Sequence, residues 1–104
     1  MERSVLPSKY ILSQEIWDKL KKLGFDIKYG ISDELLEMLP RTIIDTHRDY
    51  NYKCLLYVNP YSKGWSVCYS SCNGEYGIKR KKDLSLPNAL GKMMIYLKEN
   101  KLIE

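Results

Sequence analysis

The sequence predicts an α+β fold: two N-terminal helices, a three-stranded antiparallel sheet, and a C-terminal helix packed on one face of that sheet. Three observations carry the prediction. Apolar residues recur at helical spacing in residues 14–23 and again in 86–97. Residues 50–80 are instead rich in Tyr, Val, Ile and Trp, interrupted by Asn59-Pro60-Tyr61-Ser62-Lys63-Gly64 and by Asn73-Gly74, which is strand composition punctuated by turns. Asn-Gly is also the strongest two-residue hairpin signal, because both turn positions need positive φ. A chain of 104 residues has room for one hydrophobic core, so residues 1–104 are expected to form a single domain.

The first helix follows Ser13 and runs through Leu23, with Ile16, Leu20 and Leu23 on one stripe that Trp17 widens. Ser13 is placed to cap a free amide, Glu15 lies near the positive end, Lys21 and Lys22 lie near the negative end, and Gly24 suits a left-handed C-terminal cap. A second helix is predicted over Ser32–Leu39, with Ser32 as cap, Asp33 and Glu34 in the first turn, and Pro40 forbidding continuation. Leu35, Leu36 and Leu39 form its packing side. The last helix opens at Ser85 and Pro87, carries Leu86, Leu90, Met93, Met94 and Leu97 on one stripe, and ends near Asn100, leaving Leu102 and Ile103 to fold back. The Met93-Met94 pair reads as core packing.

Within the sheet, a turn at Asn73-Gly74 sets Tyr69 opposite Ile78 and Ser71 opposite Tyr76. Placing Val58 opposite Trp65 then puts Tyr52, Cys54, Leu56, Val58, Trp65, Val67, Tyr69, Tyr76 and Ile78 on one face, because side chains alternate with period two. That face is expected to be core. The opposite face takes Lys53, Leu55, Tyr57, Ser66, Cys68, Ser70 and Lys79, a mostly polar set containing an apolar cluster at Leu55, Tyr57 and Cys68.

With 44% apolar and 29% charged residues, the composition is that of a globular protein and excludes the disordered class. No apolar run approaches the roughly 20 residues of a spanning helix, and Met1-Glu2-Arg3-Ser4 lacks a signal peptide's apolar stretch, so a cytoplasmic protein without a membrane partner is expected. Cys54, Cys68 and Cys72 are an odd number of cysteines in a chain whose core needs no covalent help, which fits reduced thiols. The net charge of +4 conceals an asymmetry: residues 1–52 carry 8 Lys and Arg against 9 Asp and Glu, whereas residues 53–104 carry 9 against 4. Such an imbalance can mark a binding surface, and the excess lies around Lys79-Arg80-Lys81-Lys82.

Three segments carry a family resemblance: Leu39-Pro40-Arg41-Thr42-Ile43, the hairpin with Gly64-Trp65-Ser66-Val67-Cys68-Tyr69, and Ala89-Leu90-Gly91-Lys92-Met93-Met94-Ile95-Tyr96-Leu97-Lys98-Glu99-Asn100-Lys101-Leu102-Ile103. Together they span about half the chain, and they resemble a diffuse group of small, mostly uncharacterised proteins carried by bacterial prophages and other mobile elements. The resemblance implies a fold and a genomic setting. It transfers no catalytic motif, since the shared positions look like core and helix-stop positions.

Cys54, Cys68, Cys72 and His47 together supply the inventory of a Cys3His zinc site. Geometry opposes it: zinc holds sulfur at about 2.3 Å, residues four apart on a strand lie roughly 13 Å apart, and Cys54 and Cys68 fall on opposite faces. No metal and no cofactor is therefore expected, and the cysteines read as one core thiol and two strand or turn thiols. Asp45-Thr46-His47-Arg48-Asp49 sets two carboxylates around the one histidine, yet no Ser or Cys nucleophile is tied to it, and the stretch suits a loop leading to the sheet. Gly74-Glu75-Tyr76-Gly77 reads as a hairpin turn, without the strand-to-helix junction of a phosphate loop. No catalytic residue is assigned, and a non-enzymatic role is expected.

Two surfaces remain. Lys79, Arg80, Lys81 and Lys82, with Lys92 nearby, are suited to phosphates, and the element order is similar in topology to that of double-stranded-RNA-binding domains. Against this, those domains place a lysine cluster at the start of the last helix, where Lys92 stands alone here. Strand alternation also sends Lys79 and Lys81 one way and Arg80 and Lys82 the other, and the pI of 8.9 is below the usual nucleic-acid signature. A small RNA- or DNA-binding module is the alternative reading. The leading one is an accessory protein of phage or mobile-element type that binds a host or phage protein through Leu55, Tyr57, Cys68 and Lys53 on the outer sheet face. The alternative is that isolated apolar residues are ordinary on surfaces, or that Val5-Leu6-Pro7 or Tyr10-Ile11-Leu12 covers the cluster, and free sheet edges leave a homodimer open.

Overall fold

Apolar periodicity and strand composition translate into alternating layers in the computed structural model, which describes residues 10–45, 52–71 and 77–103. The elements there are α1 (Gln14–Lys22), α2 (Ser32–Met38), β1 (Thr42–Asp45), β2 (Tyr52–Tyr61), β3 (Gly64–Ser71), β4 (Gly77–Asp83) and α3 (Leu86–Glu99). The fold is α+β, with an antiparallel sheet ordered β1-β2-β3-β4. It has one strand more than the three expected. Val5-Leu6-Pro7, His47 with its neighbours, Cys72, the Asn73-Gly74 bend and Tyr76 lie outside the described residues.

The helix ends obey local chemistry. The Ser13 hydroxyl accepts from the Ile16 amide at 3.4 Å, and Ser85 does the same for Asn88 in α3. At the end of α1, Gly24 adopts φ +98; its amide donates to the Lys21 carbonyl and the Phe25 amide to that of Leu20, the paired bonds of a Schellman cap. α3 closes in the same pattern, from Lys101 to Lys98 and from Leu102 to Leu97, with Lys101 at φ 57 where glycine is usual. This turn folds Leu102 and Ile103 back onto the core, as their apolarity predicts.

α2 departs from expectation at its start. Ser32 does not cap it; the N-cap is Ile31, with no side-chain hydrogen bond. Glu34 works in the other direction, reaching back so that its carboxylate accepts from the amides of Lys28 at 2.9 Å, Tyr29 at 3.0 Å and Gly30 at 2.8 Å. This fixes the α1–α2 connection. Burial by itself would raise the Glu34 pKa, but the amides of Gly30, Lys28 and Tyr29 prevail and hold its carboxyl below the ordinary value of 4.5.

β1 is the unforeseen strand, and its polar surroundings explain the miss: Thr42-Ile43-Ile44-Asp45 is only four residues long and runs into a charged stretch. It pairs with β2 over Tyr52–Leu55. The β2–β3 pairing sets Val58 opposite Val67 rather than opposite Trp65, and Pro60 and Tyr61 extend β2 so that the turn is Ser62-Lys63. This two-residue shift preserves parity, so the faces come out as alternation predicts. Cys54, Val67, Tyr69 and Ile78 are buried, and Leu56, Val58 and Trp65 pack against them. Pro60 is tolerated because β2 has no β1 partner beyond Leu55.

Tyr69 sits opposite Ile78, the register expected from the Asn-Gly turn, but Val67 sits opposite Lys81. One residue of β3, Cys68, therefore faces two of β4, Lys79 and Arg80, which is a β-bulge. The expected alternation of the basic run is overturned beyond this point. Lys81 shares the face of Val67, toward the helices, and Lys82 shares the outer face of Ser66.

α3 is the hub. Pro87, Ala89, Leu90, Gly91, Met93, Met94, Ile95 and Leu97 are all buried, well beyond a single stripe, because β3 and β4 cover one side and α1 and α2 pack on others. Gly91 permits the close approach of α1: a Cβ there would lie 2.7 Å from Ile16 Cγ2 and 2.9 Å from Leu12 Cδ2. The Ser13 amide donates to Asn88 Oδ1 at 2.9 Å, joining the first turns of α1 and α3. Under the sheet's core face the fully buried Tyr69 donates its hydroxyl to the Pro40 carbonyl at 2.5 Å. Burial pushes its phenol far up, so it remains a donor at any ordinary pH.

Two outcomes follow from these buried polar contacts. Tyr69→Phe leaves the Pro40 carbonyl without its donor and should lower stability by about 1–3 kcal/mol, read as a reduced urea midpoint with an unchanged m-value. Because the Glu34 pKa is depressed in the folded state, its stabilisation is complete above the ordinary value of 4.5 and is lost as pH falls through the folded value. Glu34→Gln should therefore be less stable than the parent at pH 7 and should converge on it in acid, as measured by urea unfolding across a pH series.

Candidate functional site

The helices occupy one side of the sheet, and the same alternation that fills the core leaves another set of side chains on the far side. There Leu55 lies between Thr42 of β1 and Ser70 of β3, Tyr57 lies opposite Cys68, and Ile44 lies opposite Lys53. Leu55 is 37% exposed, Tyr57 42%, Tyr61 38% and Ile44 57%, values that leave these large side chains half in water. Cys68 is half-buried between strands, and Lys53 is exposed. The structure thus brings the four predicted residues Lys53, Leu55, Tyr57 and Cys68 onto one face.

Sequence reasoning missed Ile44, Tyr61 and Lys82 on this face. Ile44 follows from alternation once Thr42–Asp45 is a strand. Tyr61 follows from placing the turn at Ser62-Lys63. Lys82 needed the bulge, which carries no local signature in this sequence. Its ammonium stands 5.5 Å from the Tyr61 ring centre, close enough for a cation–π contact.

The electrostatics of the face are one-sided. Its described side chains include Lys53 and Lys82 but no Asp or Glu. Leu55 and Tyr57 are neighbours at the centre of this face, with Ile44 beside Lys53 toward one end and Tyr61 beside Lys82 at the other. Tyr10-Ile11-Leu12 is not its cover: Leu12 is buried against α3 on the helix side, its amide bonded to the Gly30 carbonyl at 2.8 Å.

The end of the basic run is divided between the two sides of the sheet, and the bulge decides which residue takes which side. Arg80 is exposed, Lys81 turns to the helix side with its ammonium 4.3 Å over the Tyr96 ring, and Lys82 turns to the outer face. The Lys79 side chain lies outside the described residues. Lys92 is engaged as a tie between α3 and β4, 2.7 Å from Asp83 Oδ2 and 3.2 Å from the Lys82 carbonyl. Burial opposes the charge on Asp83, yet Lys92 and the Ser85 amide hold its carboxyl below the ordinary range. Lys81, Lys82 and Lys92 thus meet at one end of β4 while pointing to different surroundings.

Cys54 is buried on the core face, and Cys68 lies on the outer face, opposite Tyr57, so the sheet separates these two thiols. Among the described residues no three Cys, His, Asp or Glu side chains gather as metal ligands. His47 and Cys72, the other members of the expected inventory, lie outside those residues, as does the side chain of Asp45. Among the described residues no helix is long and apolar enough to cross a membrane. No family model matches this chain, and neither a curated protein nor a solved structure matches it significantly.

Proposed function

We propose that the chain is a non-enzymatic interaction module that docks a protein partner on the outer face of its sheet. The observation that carries this reading is the row of half-exposed Ile44, Leu55, Tyr57 and Tyr61 along the outer face, with Lys53 and Lys82 beside it and no described carboxylate. Apolar and aromatic residues at the centre of a patch supply most binding energy, and charges around it select the partner. The partner should therefore present an apolar centre with acidic neighbours. An accessory role in phage or mobile-element biology belongs to the same proposal and rests on the sequence resemblance alone, and a cytoplasmic setting rests on the absence of an apolar spanning run from the sequence and on its odd number of cysteines.

The nucleic-acid reading draws on Lys79, Arg80, Lys81, Lys82 and Lys92. It is weakened by the division of the run between two faces and by the engagement of Lys92 with Asp83. Self-association through sheet edges is disfavoured too, because β1 is short, β2 carries Pro60 on its open stretch, and β4 carries lysines and a bulge.

Leu55→Asp with Tyr57→Asp should abolish partner capture from native extract, while a cooperative urea transition with an unchanged m-value shows that the variant still folds. Lys53→Glu should weaken capture, and nuclease should leave it intact. Unchanged capture by the double variant rejects this face. Capture lost to nuclease, with log K falling against log salt at a slope of roughly −3.6 for four phosphate contacts of about −0.9 each, selects the nucleic-acid reading.

A further inference from the structure

The helix side carries a cleft that protein docking on the outer face does not use. Between α1, α3 and the end of β4 lies an open hollow of about 320 Å³. Its floor is apolar, formed by Ile16 of α1 and by Ile95 and the ring of Tyr96 of α3. Lys19, Lys81 and Lys92 stand around it with Glu15 and Glu99.

These charges are not equivalent. Lys92 is held by Asp83 at 2.7 Å, and Lys19 stands 4.0 Å from Glu99. Among the described residues no carboxylate lies within ion-pair distance of Lys81; its ammonium rests 4.3 Å over the Tyr96 ring. A ring quadrupole attracts a cation without cancelling its charge, so Lys81 keeps its positive charge beside an apolar floor, with Glu15 as the carboxylate of the rim that no described lysine holds within ion-pair distance. Lys81 reaches this position only because the bulge at Lys79-Arg80 reverses the alternation of β4. Re-aiming a side chain is what bulges commonly do beside binding sites.

We propose that this cleft binds a small organic monoanion with a flat ring, its acid on Lys81 and its ring against Ile16, Ile95 and Tyr96. The volume lies at the small end of the roughly 300–1,000 Å³ range of ligand pockets, enough for a single ring and its acid group. Glu15 and Glu99 repel a polyanion, which sets the ligand apart from a nucleic-acid backbone. Lys19 can exchange its long contact with Glu99 for a second bond to the acid.

The test is a titration of the isotopically labelled full chain, followed by amide NMR shifts. Benzoate and benzenesulfonate each carry one singly charged acid group on a ring; acetate has the charge without the ring, and benzyl alcohol the ring without the charge. At least one ring-bearing anion should give saturable shifts confined to Ile16, Lys81, Ile95 and Tyr96 and their neighbours. Lys81→Met should weaken that binding about tenfold, the value of one charged hydrogen bond. Tyr96→Leu, which keeps an apolar floor, should weaken it less, and Leu55→Asp with Tyr57→Asp should leave it unchanged. The proposal is overturned if neither ring-bearing anion saturates by roughly 10 mM, if acetate or benzyl alcohol binds as well, or if a folded Lys81→Met variant binds as the parent does.

Discussion

The burial of α3 is the constraint on which the rest of the molecule depends. Leu90, Met93, Met94 and Leu97 are out of water entirely, each contributing about 1.5–3 kcal/mol relative to exposure. A helix apolar on so many sides must be surrounded, and the sheet and the two N-terminal helices are the walls available. Gly91 lets α1 close against it, and the bond from Ser13 to Asn88 sets the relative position of the two helices. With α3 on one face of the sheet, the described helices all lie on that side and none covers the other face.

Polar contacts then fix the layers against one another. Glu34 collects three consecutive amides and so shapes the connection between α1 and α2. Tyr69 anchors the sheet to the Pro40 carbonyl, just ahead of β1. Lys92 and Asp83 tie the end of β4 to the second turn of α3. The Glu34 contacts are local, whereas Tyr69 reaches across layers to Pro40, and its buried hydroxyl would be costly without a partner.

The bulge in β4 redirects the basic run. It exchanges the sides of Lys81 and Lys82, so Lys82 borders the outer face beside Tyr61 while Lys81 enters the cleft between α1 and α3. Together with Pro60 on β2 and the short β1, it also makes the sheet edges poor templates for another strand. Away from its edges the sheet layer offers two surfaces, an outer face with Tyr57 and Tyr61 and a small hollow between α1 and α3.

By itself, the sequence determined the elements whose signals are local: helices marked by apolar period and by Ser13, Gly24 and Ser85 at their ends, and the facing of Cys54, Leu55, Tyr57 and Tyr69, which parity preserves even when a register moves by two. Tertiary structure decided the rest. Thr42–Asp45 is too short to declare itself and becomes a strand because β2 offers its edge. Ser32 yields to Glu34 because the preceding loop presents three amides together. Lys81 and Lys82 exchange sides because an extra residue is accommodated between β3 and the end tied down by Lys92, a choice made by packing across the sheet that no pattern within residues 79–82 encodes.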